Sequence, residues 1–276
     1  MTACPGASHF AEVNGSRLHY LRWSEDRGPL LLFVHGFRGH AHWWDWIAPS
    51  FTRDFDVVAL DLSGMGDSAR RTHYDRPVFA QDILGLIDHL GRPAHVVGHS
   101  FGGTSLVHAC AVNSETSSPP RVEHAIVIDS WIRFPDDPVF RPGHLRPGQT
   151  YEDYASARSR FRLVPPQAVA EQSMMDHLAQ HSLHQSGGLW RWKFDPAMPE
   201  FPPLNNGPEL LRRVKTPTDI VYGGASSIVN RERAQRCVDV LANGRGPFEI
   251  PDGGHHMMFD QPEALVATID VLLRTR

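Results

Sequence analysis

His95-Val96-Val97-Gly98-His99-Ser100-Phe101-Gly102-Gly103 is the stretch on which the reading of this chain turns. A short apolar run leads into G-x-S-x-G, and the pattern after it, Phe101 to Val112, is that of a helix. A strand that turns this sharply into a helix holds the serine in strained backbone geometry with its hydroxyl exposed. The flanking glycines are required because neighbouring chain passes too close for a Cβ. The helix N-terminus beneath Ser100 favours negative charge developing there.

Working outward from the elbow, short and nearly continuous apolar runs recur at Leu30 to Val34, Val57 to Leu60, Ala125 to Ile128, Ile220 to Tyr222 and Phe248 to Ile250. Strands without period-2 alternation are expected where helices cover both faces of a parallel sheet. His9 to Val13 and Arg17 to Trp23 flank Asn14-Gly15, the dipeptide best suited to a tight hairpin, so an antiparallel pair opens the fold. Pro77 to Leu90, stopped by Gly91, and Pro262 to Leu273 carry helical apolar stripes. The alternation predicts a doubly wound α/β sheet. It lapses from about residue 131 to 213, where prolines, arginines and aromatics cluster without strand signals. A structureless loop of that length is improbable in a compact domain. We therefore expect a core of residues 1–130 and 214–276 and a mainly helical cap of residues 131–213, placed as a lid over the site.

With these motifs in hand, the chain resembles the α/β-hydrolase fold family along nearly its whole length. His35-Gly36-Phe37, after the Leu30 to Val34 strand, is similar to that family's oxyanion loop, and Asp61-Leu62-Ser63-Gly64-Met65-Gly66-Asp67-Ser68 to its D-x-x-G-x-G-x-S turn. Gly64 to Ala69 also fits the G-x-G-x-x-A of a dinucleotide fold. No helix opens there, however, and no strand ends in an acidic residue at the required distance.

A serine hydroxyl needs a base. Ile250-Pro251-Asp252-Gly253-Gly254-His255-His256 follows the last strand, and His255 aligns with the family's Gly-His loop, which leaves His256 as a lining residue. Many relatives carry the third member in G-x-x-D after the penultimate strand, but here Gly223-Gly224-Ala225-Ser226 puts Ser226 in that place. Asp129 supplies the charge instead. It ends the strand after the one that carries the nucleophile, where haloalkane dehalogenases and cofactor-free quinoline dioxygenases look similar, and the order Ser100, Asp129, His255 fits the fold. Backbone N–H groups of Phe37 and Phe101 are expected to bind the oxyanion. Trp131, Trp190, Trp192, His99 and His256 are expected to contact substrate, with Phe134, Met174, Met175 and Phe194 partly pocket and mostly the cap's own core. Arg158, Arg160 and Arg162 read as a solvated or salt-bridged face more readily than as a carboxylate clamp.

The resemblance implies a serine hydrolase acting on a small or medium carboxylic ester, thioester or lactone, with no cofactor. A cofactor-independent dioxygenase, a carbon–carbon bond hydrolase and a non-catalytic ligand receptor are the alternatives on the same scaffold. His40-Ala41-His42 does not complete an H-x-H-x-D-H pattern and no H-E-x-x-H occurs, so sequence motifs call for no metal. Among 276 residues, a net charge of −4 without a basic stripe argues against nucleic-acid binding. Three scattered cysteines and the absence of a signal-like or membrane-spanning stretch point to a cytoplasmic protein, a monomer or homodimer whose partner is a small-molecule substrate.

Overall fold

The computed structural model describes residues 2–116, 120–137, 148–169, 171–199 and 206–275. Asn14 and Gly15, with φ of 49° and 72°, turn β1 (Ala7–Val13) back onto β2 (Ser16–Arg22) in the expected hairpin. β3 (Leu30–Val34), β4 (Asp56–Leu60) and β9 (Thr218–Gly223) are buried at every position, which is why their sequences show no alternation. With β5 (Ala94–His99), β6 (Val122–Ile128) and β10 (Gly244–Ile250) they form an eight-stranded sheet in the order β1-β2-β4-β3-β5-β6-β9-β10. β2 meets β4 antiparallel, and every pairing from β4 to β10 is parallel.

One face of the sheet is covered by α1 (Arg76–Leu90), α2 (Phe101–Thr116), α5 (Gly207–Arg213) and α6 (Arg231–Val240). The other is covered by α8 (Pro262–Arg274), the short α7 (Met257–Asp260) and the tryptophans of the 3-10 turn Ala41–Trp44. Asp75 caps α1 by accepting a hydrogen bond from the Val78 N–H, Pro77 occupies its first turn, and Gly91 at φ 73° ends it.

The described part of the insertion holds α3 (Tyr154–Arg158), α4 (Gln172–Ser182) and a hairpin of β7 (Leu183–Ser186) and β8 (Leu189–Trp192). Residues 138–147, 170 and 200–205 of the expected cap lie outside the described residues. The hairpin departs from the expectation of an insertion without strands. Its turn is Gly187-Gly188, both at positive φ, a hairpin dipeptide whose flanking strands of four residues are too short to show a period. α5, placed with the cap by sequence, packs instead on α2 and α6 in the core layer. Phe161, Leu163, Met174 and Leu178 of the insertion pack into the cluster that contains Trp44 and α8.

Candidate active site

Ser100 sits between β5 and α2 with φ of 54°, the left-handed backbone that L-residues avoid. Crowding around it explains the glycines. A Cβ on Gly102 would lie 2.4 Å from the His35 carbonyl oxygen and 2.5 Å from that of Val34, and one on Gly98 would meet the Gly102 backbone at 2.8 Å. Asp129, directly after β6, is also left-handed at φ 45° and fully buried. The loop from β10 to α7 delivers His255, which is 4% exposed.

These three side chains form one chain of hydrogen bonds. His255 Nδ1 donates to Asp129 Oδ2 at 2.6 Å, which leaves Nε2 as the acceptor for the Ser100 hydroxyl at 3.0 Å. Asp129 has two further donors. The Gly223 N–H reaches Oδ1 at 3.1 Å, and the Ser226 hydroxyl reaches Oδ2 at 2.6 Å. Ser226 itself accepts from the Ile228 N–H at 3.1 Å. In sequence Ser226 is only a missing carboxylate; in the fold its hydroxyl donates to Asp129. The clue available beforehand was that Ser226 and Asp129 follow adjacent parallel strands, β9 and β6.

Around this chain lies a cleft of about 450 Å³ between the sheet edge and the insertion. Phe37, Trp43, His99 and His256 line it from the sheet side, and Tyr151, Phe161, Leu163, Trp192 and Phe194 from the insertion. Phe101, next to Ser100, packs its ring edge-on to Phe37 with centroids 5.4 Å apart. His99 is buried and donates from Nε2 to the His255 carbonyl at 2.8 Å, which steadies the loop that bears His255. Burial, then the charges of His255 and His256, holds its pKa well below the usual imidazole range. Burial and His255 likewise press His256 down to about 3. Both rings are therefore neutral at neutral pH.

Two expected substrate contacts are not in the cleft wall. Trp131 lies beneath the Arg233 guanidinium, 4.7 Å from the ring centroid, and points Nε1 toward Asp137. Trp190 packs on Tyr154 and bridges to the backbone of Tyr151. Each satisfies its ring by packing beside the site, a choice that composition does not reveal. Met174 belongs to the seam of cap and core. Arg158 pairs with Asp176, whereas Arg160 and Arg162 reach the cleft.

Comparison with known proteins agrees with this architecture. The chain is 26% identical to the dihydrolipoyllysine-residue acetyltransferase component of the acetoin cleaving system of Pseudomonas putida, over 96% of this chain and 68% of that one. It is 24% identical to an esterase of Mycobacterium tuberculosis, over 96% of this chain and 89% of the relative. A solved thioesterase domain from the curacin biosynthetic pathway superposes with a TM-score of 0.77 at 23% identity, covering 95% of this chain and 98% of that domain. Residues 31–268 match the family described as the alpha/beta hydrolase family. With the parallel sheet, the strained elbow and that match across most of its length, this chain belongs to the alpha/beta hydrolase family and is a hydrolase.

Proposed function

We propose that the protein is a serine hydrolase that cleaves small or medium carboxylic esters, or the related thioesters and lactones, through an acyl-enzyme. The observation that carries this reading is the unbroken hydrogen-bond chain from Asp129 through His255 to Ser100, ending at a hydroxyl held in strained backbone. Ser100 attacks the acyl carbonyl as His255 Nε2 takes its proton. Asp129 fixes the tautomer and stabilises the imidazolium, and the same proton returns to the leaving group. The backbone N–H groups of Phe37 and Phe101 receive the oxyanion. Water then repeats the sequence on the acyl-enzyme.

The volume of the cleft suits a ligand of modest size, and its aromatic cap wall suits an apolar acyl or alcohol group. Cys4, Cys110 and Cys237 are unpaired, in keeping with a reducing cytoplasm. Among the described residues no helix is long and apolar enough to cross a membrane.

The test is covalent trapping. Incubation with a fluorophosphonate, followed by peptide mass spectrometry, should place one adduct on Ser100, and a pooled ester and thioester library should leave an acyl mass on the same residue. A chain that stays unlabelled while turning over a substrate, or turnover that stops without oxygen, would overturn the reading.

A further inference from the structure

His42 and Asp45 lie on and directly after the 3-10 turn Ala41–Trp44, which follows the oxyanion loop in sequence. His177 and His181 lie four residues apart on α4 of the cap, so both project from one face of that helix. Fold docking brings the four together. One donor atom from each lies within 4.8 Å of all the others. Asp45 is fully buried, and its Oδ2 accepts from His42 Nδ1 at 2.9 Å and from His177 Nε2 at 2.7 Å. The His181 ring lies against both imidazoles, with centroids 3.5 Å from His42 and 4.5 Å from His177.

We propose that His42, Asp45, His177 and His181 bind one divalent first-row transition-metal ion, with zinc the favoured occupant, and that the ion pins the cap helix to the core. Three imidazoles and one carboxylate supply four nitrogen and oxygen donors, the number that fills a tetrahedral zinc site and leaves no open position. Nitrogen-rich ligation without thiolates selects the zinc, copper and nickel group over magnesium or calcium.

A plain histidine–aspartate–histidine ion pair accounts for less of what is there. It uses one carboxylate oxygen and two rings, and leaves Asp45 Oδ1 buried without a hydrogen-bond partner and a third imidazole pressed onto the pair. A dication held by neutral imidazoles uses all four groups. None of the four residues lines the cleft around Ser100, so the role is structural. The ion would fasten α4 to the turn beyond Phe37, and with it the wall of the cleft that the cap provides.

The experiment uses the untagged full chain, stripped with a chelator and dialysed, so that no added histidines compete. Titration with Zn²⁺ by calorimetry should show one equivalent per chain, and Co²⁺ should develop the visible ligand-field bands of four-coordinate cobalt. Zn²⁺ should raise the melting temperature of the stripped protein. The His181→Ala and His177→Ala variants should bind Zn²⁺ more weakly by more than the roughly 10–100-fold loss typical of a residue that merely supports a ligand. Absence of saturable uptake by the wild-type chain overturns the proposal, whatever the folding of the variants. So does uptake that survives in the double variant, which would place the ion elsewhere, for example among His99, His255 and His256. The titration reads metal content and melting, so its result is independent of whether Ser100 proves to be the nucleophile.

Discussion

At Ser100, the strained φ and the hydrogen bond to His255 make a sharp demand on function. Ser100→Ala should lower kcat with a p-nitrophenyl ester on the order of 10⁶-fold while the melting curve stays unchanged; near wild-type turnover would exclude an acyl-enzyme at this residue. Asp129→Asn should cost about 10⁴-fold, because the amide cannot hold His255 in the tautomer that leaves Nε2 as acceptor. Ser226→Ala distinguishes support from chemistry. It removes one charge-assisted donor to Asp129 but leaves the Gly223 N–H and His255, so we expect a loss of about 1.5–3 kcal/mol in urea unfolding. The accompanying fall in kcat should be far smaller than that of Asp129→Asn. An equal fall would mean that Ser226 sets the position of the carboxylate outright.

At the scale of the element, the elbow between β5 and α2 is held by backbone contact, and its tolerance follows from that. Gly102→Ala would drive a Cβ against two carbonyl oxygens of the β3 segment, atoms that cannot swing aside as a side-chain tip would. We expect a loss of at least roughly 1–3 kcal/mol by thermal or urea unfolding, or an insoluble chain. Unchanged stability would show that β3 and α2 can move apart. The same close packing explains which elements could be read beforehand. β3, β4 and β9 are buried on both faces, so their apolar runs are unbroken, and α1 is marked at both ends by Asp75, Pro77 and Gly91. The β7–β8 hairpin is short and half-exposed, so burial imprints no period on it, and only Gly187-Gly188 betrays the turn. α5 is equally short, and its membership in the core depends on docking against α2 and α6, which no local pattern encodes.

Across the whole molecule, what was legible divides by how a residue pair is brought together. Ser100, Asp129 and His255 could be placed because each follows a parallel strand, and strands of one sheet deliver their ends to one edge. Asp45 and His177 stand 132 positions apart and meet only where α4 docks on the sheet, so motif spacing could not find their cluster; the same holds for Trp131 and Trp190, whose packing outside the cleft wall only the folded chain shows. Folding also buries histidines in a manner that pH should expose. His35, His40, His99 and His256 all have pKa values pushed below the ordinary imidazole value, with burial the largest cause. Because the folded values are depressed, the stability these neutral rings contribute is present above about pH 6.5. It is lost as pH falls below that, since the unfolded chain then takes up protons that the folded chain refuses. Each such ring steepens the decline by up to about 1.4 kcal/mol per pH unit. Urea unfolding between pH 7.5 and 5.5 should therefore show stability falling with acidity. His256→Phe, which keeps an aromatic ring beside Trp43 and Phe259 but cannot titrate, should flatten the slope by about one proton. A slope unchanged by that substitution would mean that His256 takes up its proton in the folded state and that the cleft admits the charge.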